Sequence, residues 1–121
     1  MIQTRQELLL DAVTATTTSR SIAADNAGRL SLQFTAASIT SGNGVFTVEV
    51  SNDGVSWVAY NRLTSNATNT NAQTDVRVAS VTLSSNTSAI AFFPPGDTFA
   101  FIRVTVTRTT DGAYSATAFI N

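Results

Sequence analysis

Apolar and polar residues alternate with a period of two along most of the chain. In residues 29–36, Leu30, Leu32 and Phe34 alternate with polar side chains, so one face of this segment is apolar. Such alternation is typical of β-strands with one buried face and one exposed face. The same pattern predicts further strands at residues 45–51, 57–63, 76–83, 99–107 and 113–120. The alternation slips near residues 79–80, which predicts a β-bulge there.

Turn sequences separate these strands at the spacing expected of a β-sandwich or barrel. Each combines Gly with Asn, Asp, Ser or Pro, and they lie at residues 25–28, 41–44, 52–54, 94–97 and 110–112. One longer polar segment, residues 64–75, is predicted to be a loop. We therefore predict an all-β fold, a single antiparallel β-sandwich or jelly-roll-like domain of about eight or nine strands.

The N-terminal segment has a less regular pattern than the rest of the chain. Leu9, Leu10 and Val13 could share one face of a short helix, whereas the Thr-rich continuation favours a strand. We favour the strand. We expect residues 1–18 to form an N-terminal strand or contact arm and residues 19–121 to form the sandwich domain.

The chain carries few charges, because 12% of its 121 residues are charged and its net charge is −1. Its seven basic residues are all arginines and are spread along the chain, so we expect no nucleic-acid partner. No apolar run is long enough to span a membrane, and the polar N-terminus does not resemble a signal peptide. We expect no membrane partner and synthesis in a cytoplasm. A neutral, Thr-rich exterior is typical of surfaces that pack against other subunits.

Catalytic residue types are scarce in this sequence. His, Cys and Lys are absent, which removes the common bases, nucleophiles and Schiff-base formers. Of the eight acidic residues, Asp25, Asp53, Asp97 and Asp111 lie in turn sequences, where Asp is favoured for its local hydrogen bonds. We therefore predict a protein that is not an enzyme and needs no cofactor or metal.

Residues 51–57 have the sequence Ser-Asn-Asp-Gly-Val-Ser-Trp. In the structural interpretation, which we favour, Asp53 and Gly54 form a tight turn because Gly accepts positive φ, and Trp57 begins the return strand. In the functional interpretation, Asn52 and Asp53 bind Ca²⁺ or Trp57 stacks on a sugar. A calcium site, however, needs six to eight oxygen ligands from several loops.

Two apolar segments are candidate protein interfaces. The segment at residues 92–95 either ends a strand in a rigid turn or forms an exposed knob that docks onto a partner. Adjacent strand residues face opposite sides, so one of its two phenylalanines is expected to face solvent or an interface. The interface candidates are Leu8, Leu9 and Leu10 in the N-terminal segment and Phe92, Phe93, Pro94 and Pro95 in the second segment.

Residues 45–60, Val-Phe-Thr-Val-Glu-Val-Ser-Asn-Asp-Gly-Val-Ser-Trp-Val-Ala-Tyr, resemble a recurring element of small β-rich proteins from tailed-phage structural gene clusters. In that element a Ser-x-Asp-Gly-x-x-Trp hairpin follows a Val-x-Val strand. Residues 101–107 and 111–116 also look like segments of those proteins. The same hairpin occurs in discoidin-like and other carbohydrate-binding sandwiches.

The resemblance implies a non-catalytic virion protein, with capsid decoration as the first interpretation and a head-fibre or tail accessory subunit as variants. It implies that the partner is a capsid protein or another virion protein, and that the chain is a homo-oligomer, with a trimer favoured. The expected location is the virion. The alternative function, from a different class, is a carbohydrate-binding module that uses Trp57 and Tyr60.

Overall fold

The computed structural model describes residues 5–24, 29–67, 77–94 and 96–121. Within them the chain is all-β, and no helix occurs. None of these described segments therefore offers a helix of the length and apolarity that a membrane crossing would need. The strands are β1 (Arg5–Val13), β2 (Thr17–Thr18), β3 (Ile22–Ala23), β4 (Leu30–Ala37), β5 (Asn43–Ser51), β6 (Val58–Tyr60), β7 (Thr64–Ser65), β8 (Ser80–Leu83), β9 (Ser88–Phe92), β10 (Phe101–Thr109) and β11 (Ala113–Ile120).

These strands form two antiparallel sheets that pack face to face. The five-stranded sheet has the order β1-β11-β4-β9-β7. The six-stranded sheet has β10 and β5 at its centre; β2 and β3 pair with the free side of β10, and β6 and β8 pair with the free side of β5. The predicted antiparallel β-sandwich is therefore confirmed. The strand count exceeds the prediction because β2, β3 and β7 are each two residues long.

Aromatic side chains link the two sheets at the centre of the core. Phe34 on β4 stacks on Phe46 on β5, with ring centroids 4.4 Å apart. Phe46 in turn meets the edge of the Tyr114 ring on β11 at 6.0 Å. All three side chains are fully buried. Burial of one such ring stabilises the fold by about 1.5–3 kcal/mol, and a ring pair adds about 0.5–1.5 kcal/mol.

β1 is an edge strand whose pairing with β11 is interrupted twice. The register shifts between Leu8 and Leu10 and again between Leu10 and Val13, and Ala12 has a φ of 49°. In a regular strand neighbouring residues face opposite sides, but these bulges allow Leu9 and Leu10 both to face the core, 8% and 2% exposed. Within the N-terminal segment, Arg5–Val13 is thus a strand of the sandwich; residues 1–4 lie outside the described residues.

The long strand predicted at residues 99–107 begins later in the structure. β10 starts at Phe101 because Phe99 turns toward the core, where its ring lies 5.9 Å from that of Tyr60 and 5.6 Å from that of Phe93. This burial of aromatic surface replaces the strand pairing that the alternation predicts.

The bulge predicted near residues 79–80 is absent from the pairing of β8. Leu83 to Ser80 pair with β5 in continuous register, and Val78 instead makes an isolated bridge with Leu63. The slip in alternation therefore marks the start of β8.

The polar segment predicted as a loop at residues 64–75 begins with the short strand β7, which pairs with β9. The Asn66 side chain extends this pairing, since its Oδ1 accepts a hydrogen bond from the Ile90 amide at 2.9 Å. Residues 68–76 lie outside the described residues, as does the turn predicted at residues 25–28.

Candidate functional site

The hairpin between β5 and β6 is closed by its own side chains. Asp53 Oδ1 accepts hydrogen bonds from the amides of Val55 and Ser56, each at 2.8 Å, and from the Ser51 hydroxyl at 2.9 Å. The amides of Ser56 and Val55 hold the pKa of the Asp53 carboxyl below its usual range. Gly54 has a φ of 75°, which L side chains rarely adopt. Asp53 and Gly54 thus form the structural turn that the sequence predicts.

Two of the side-chain oxygens considered for calcium binding have partners within the protein. Asn52 Oδ1 accepts a hydrogen bond from the Ala100 amide at 3.1 Å, and Asp53 Oδ1 accepts the hydrogen bonds of the hairpin. The described residues contain no group of three or more His, Cys, Asp or Glu arranged to hold a metal ion. This arrangement serves the fold of the hairpin.

Trp57 lies against the solvent-facing side of the six-stranded sheet. The Arg103 guanidinium covers one side of its ring, 4.3 Å from the centroid. Arg103 is the cross-strand partner of Glu49, and its Nε donates to Glu49 Oε1 at 2.9 Å. A cation–π contact and an ion pair therefore hold the indole against the sheet, and one of its two faces is unavailable for stacking on a sugar.

Tyr60, the second aromatic residue of the sugar-binding alternative, belongs to the core. Its side chain is 8% exposed, and its ring packs against Phe93 and Phe99. The hydroxyl donates a 2.6 Å hydrogen bond to Asp97, which also pairs with Arg62 at 3.1 Å. Burial, together with the bond to Asp97, raises the pKa of Tyr60. The structure therefore does not unite Trp57 and Tyr60 into an exposed aromatic platform.

An open pocket of about 450 Å³ lies beside the hairpin. Its lining mixes apolar and polar side chains, as small-ligand sites do. Two of its polar groups, Asn52 and Asp97, are already engaged in the hydrogen bonds described above. The pocket is therefore large enough for a small ligand, but the side chains of Asn52 and Asp97 already hydrogen-bond within the protein.

The interface candidates fall into two groups. Two face solvent, namely Leu8 and Phe92, 51% and 49% exposed. For these the interface role stays a prediction. The bulges of β1 direct Leu9 and Leu10 into the domain, and beyond the end of β9 Phe93 packs against the core and Pro94 is buried. The assignment of these four residues to an interface is thereby corrected. Pro95 lies outside the described residues.

Leu8 and Phe92 belong to a larger surface, which we call the outer face. It consists of the outward-facing residues of the five-stranded sheet in two adjacent rows that follow the cross-strand pairing. The first row is Gln6, Phe119, Ser31, Phe92 and Thr64, and the second row is Leu8, Thr117, Gln33 and Ile90.

The outer face combines exposed apolar side chains with uncharged polar ones. Phe119 and Ile90 are 40% and 36% exposed and accompany Leu8 and Phe92. None of the residues in the two rows carries a charge. Arg77 lies at the rim, where its guanidinium donates to the Thr64 hydroxyl. The interface hypothesis missed Phe119 and Ile90, although the alternation of β11 and β9 places both on the polar side of their strands.

Asp111 organises the loop at one end of the sandwich. Its carboxylate accepts hydrogen bonds from the amides of Thr40 and Ser41, both at 3.2 Å, and of Gly42 at 3.0 Å. Burial acts to raise the pKa of Asp111, but the hydrogen bonds from the amides of Ser41, Thr40 and Gly42 outweigh it, so the pKa lies below its usual range. This carboxylate is therefore a structural anchor.

Tyr114 completes the same corner. Its fully buried ring covers Gly44 and Gly112, where any added Cβ would collide with the tyrosine. Its hydroxyl donates to the Asp111 carbonyl oxygen at 2.8 Å. The two glycines are thus required by the close approach of the ring, and this corner serves the fold.

No protein-family model matches this chain, and none of the curated proteins matches its sequence. Among solved structures, the fold is similar to the crystal structure of the SPBc2 prophage-derived protein YomS, with a TM-score of 0.69. The superposition covers 100% of this chain and 96% of that chain, at 7% sequence identity. At this identity the likeness concerns the fold.

Proposed function

We propose that this chain is a non-catalytic structural subunit of a phage or phage-like particle and acts through protein–protein contacts. The outer face carries the proposal, because its two rows combine four exposed apolar side chains with uncharged polar ones. Exposed apolar patches mark interaction sites, and here Phe92 and Ile90 lie on one side of β4 and Phe119 and Leu8 on the other. Removal of this surface from water would favour association.

Two independent similarities support a phage particle as the setting. The hairpin at residues 45–60 resembles an element of tailed-phage structural proteins, and the fold is similar to that of a prophage-derived protein over nearly the full length of both chains. The first similarity concerns local sequence and the second concerns topology, so neither depends on the other.

The engagement of the carboxylates supports the non-catalytic part of the proposal. Asp53 and Asp111 accept backbone hydrogen bonds, Glu49 pairs with Arg103, and Asp97 pairs with Arg62. Acid–base catalysis needs carboxylates that face a substrate cleft. Here these groups stabilise turns and strand pairs.

Capsid decoration is the particular role that we propose within this class. A decoration subunit would lie on a capsid, with a capsid protein as its partner, and would stabilise the shell by burying apolar area that crosses subunit boundaries. Such a subunit binds the assembled lattice more tightly than the separate capsid proteins, and this difference in affinity is the source of the stabilisation.

The direct test is to locate the chain in purified particles. Particles released by the strain that carries the gene would be banded in a density gradient, heads and tails separated, and the chain quantified by mass spectrometry against the major capsid protein. A constant ratio in the head fraction is expected. Enrichment in tails would overturn decoration and retain the structural role, whereas absence from both fractions would overturn the proposed function.

A matched pair of variants tests whether the outer face is needed for incorporation of the chain into particles. Phe92→Ser removes an apolar side chain from the face, and Val55→Ser removes one from the hairpin, where Val55 is 81% exposed. We expect the first variant to lower the amount of chain in particles and the second to leave it unchanged. Equal effects would contradict a role of the outer face in the assembly of the chain into particles.

A further inference from the structure

We infer that the outer face binds the outer face of a second copy of this chain, about a two-fold axis that runs along β4. The inference deepens the proposed function, on which it rests for its surface, by naming the first partner of that surface. It depends on four features of the outer face: the register of its residues, their side-chain chemistry, their charge and the available area.

The register places the two exposed phenylalanines symmetrically. Ser31 on β4 pairs with Phe119 on one side and with Phe92 on the other, so both rings lie in one row, one strand away from β4. A two-fold axis along β4 exchanges the two sides of the face. It therefore brings Phe92 of each copy over Phe119 of the other, which is the reciprocal contact that an isologous interface requires.

The second row follows the same symmetry. Gln33 on β4 pairs with Thr117 on one side and Ile90 on the other, so the axis brings Ile90 of each copy over the Thr117 methyl of the other. Gln33 itself lies beside the axis. Its amide has both donors and an acceptor, so it can hydrogen-bond to its own symmetry copy, which a residue that only donates or only accepts could not do.

The two solvent-facing surfaces of the sandwich differ in charge. The rows of the outer face are uncharged, and Arg77 lies at the rim on β7, two strands away from β4, so the centre of the contact brings no like charges together. The six-stranded sheet instead presents the Arg103–Glu49 pair beneath Trp57. Self-association through that sheet would bury two ion pairs, and their desolvation opposes association.

The available area reaches the lower limit for a specific interface. At about 4.8 Å between strands and about 3.3 Å per residue, strands of nine, eight, eight, five and two residues present a face of roughly 510 Å². Two such faces would bury about 1,000 Å², the smallest area typical of a specific interface. Sheets that pack in this way lie about 10 Å apart with strands nearly aligned, a geometry that an axis along β4 permits.

The test uses two variants that should each be unable to form the pair alone and should form it when they are mixed. Light scattering of the purified chain should give twice its mass of 12.7 kDa. Phe92→Glu and Phe119→Arg should each give the single-chain mass, since each places a charge in the apolar contact. Mixing the two variants should restore the doubled mass, because the introduced glutamate of one chain then faces the introduced arginine of the other, while the second phenylalanine contact stays intact.

Two controls keep the result specific to the outer face. Val55→Glu places the same charge on the hairpin and should keep the doubled mass. Circular dichroism should show unchanged strand content in every variant, because the substituted side chains point to solvent. A wild-type monomer through the high-micromolar range, a trimer, or a mixture that stays monomeric would each overturn the two-fold pairing.

The experiments distinguish failure of the two-fold pairing from failure of the proposed function. A wild-type monomer that nevertheless bands with particles would overturn the pairing and support the particle role. A stable pair that is absent from particles would support the pairing and overturn the particle role.

Discussion

Tyr114 illustrates how a single polar group is accommodated in this core. Its ring is fully buried, yet its hydroxyl reaches the Asp111 carbonyl at the rim of the sandwich. Buried polar groups stabilise a fold when they are hydrogen-bonded and destabilise it when they lack a partner. The position of the hydroxyl therefore allows a large aromatic side chain to fill the space that the two neighbouring glycines leave open.

Tyr114→Phe should lower the free energy of unfolding by about 1 kcal/mol, because it removes this hydrogen bond and keeps the ring. Urea unfolding would show a lower midpoint with an unchanged m-value. Val55→Ala, at an 81% exposed position of the hairpin, is the control and should stay within about 0.5 kcal/mol of wild type. Equal stability of Tyr114→Phe and wild type would refute the contribution of the bond.

Asp111→Asn should lower stability at neutral pH, and the difference from wild type should shrink in acid. The folded pKa of Asp111 is depressed, so its contribution is present above the ordinary Asp value of about 3.9 and is lost as pH falls through the folded pKa. Urea unfolding of both proteins at neutral pH and near pH 3 would measure the change. A pH-independent difference would mean that the charge has no role.

At the scale of whole strands, the bulges in β1 decide which leucines support the core. Leu10→Ala should lower the free energy of unfolding by about 2–5 kcal/mol, because Leu10 is 2% exposed. Leu8→Ala is the matched control. The same change at a half-exposed position should stay within about 0.5 kcal/mol when both variants are measured in the single-chain Phe92→Glu background. Urea midpoints of the two variants give the comparison, and similar losses in both would contradict the assigned register.

Strands with unbroken register were the most predictable from sequence. In β4 and β11, and in β5 as far as Glu49, inward and outward positions alternate, so the period of two predicts both the strand and its buried face. The buried face of β1 could not be predicted in this way, because its bulges interrupt the period of two. Its three successive leucines also do not indicate which side chains face the core. β2, β3 and β7 are too short to show a period at all.

The candidate site was predictable where its contacts are local. The turn at Asp53 and Gly54 depends on residues within a few positions, and the sequence predicted it. The burial of Tyr60 depends on Phe93 and Phe99, far away along the chain. Likewise, the shared row of Phe92 and Phe119 comes from pairing across β4, which no single strand's pattern contains.

At the scale of the whole molecule, the two sheets share one core. The stacked Phe34 and Phe46 come from different sheets, so neither sheet can lose its partner and keep its buried surface. A single cooperative transition is therefore expected. Trp57 fluorescence reports on the six-stranded sheet and far-ultraviolet circular dichroism on both, and their urea curves should coincide. Separate midpoints would indicate that the sheets unfold independently.

The molecule also has two unlike outer surfaces. The five-stranded sheet presents uncharged rows with four exposed apolar side chains, whereas the six-stranded sheet presents an ion pair beneath an indole. A subunit with two such surfaces can make one kind of contact through each. The pairing of outer faces would leave the six-stranded sheets exposed on the two far sides of the dimer.

The interrupted register of β1 also limits how copies can join edge to edge. An exposed edge recruits another chain by offering an unbroken series of backbone donors and acceptors, which is how ribbons extend into fibrils. The two shifts in β1 bend that edge and break the series. Growth by strand addition therefore meets an obstacle at β1, and the chain can be concentrated with less danger of polymerising along this edge.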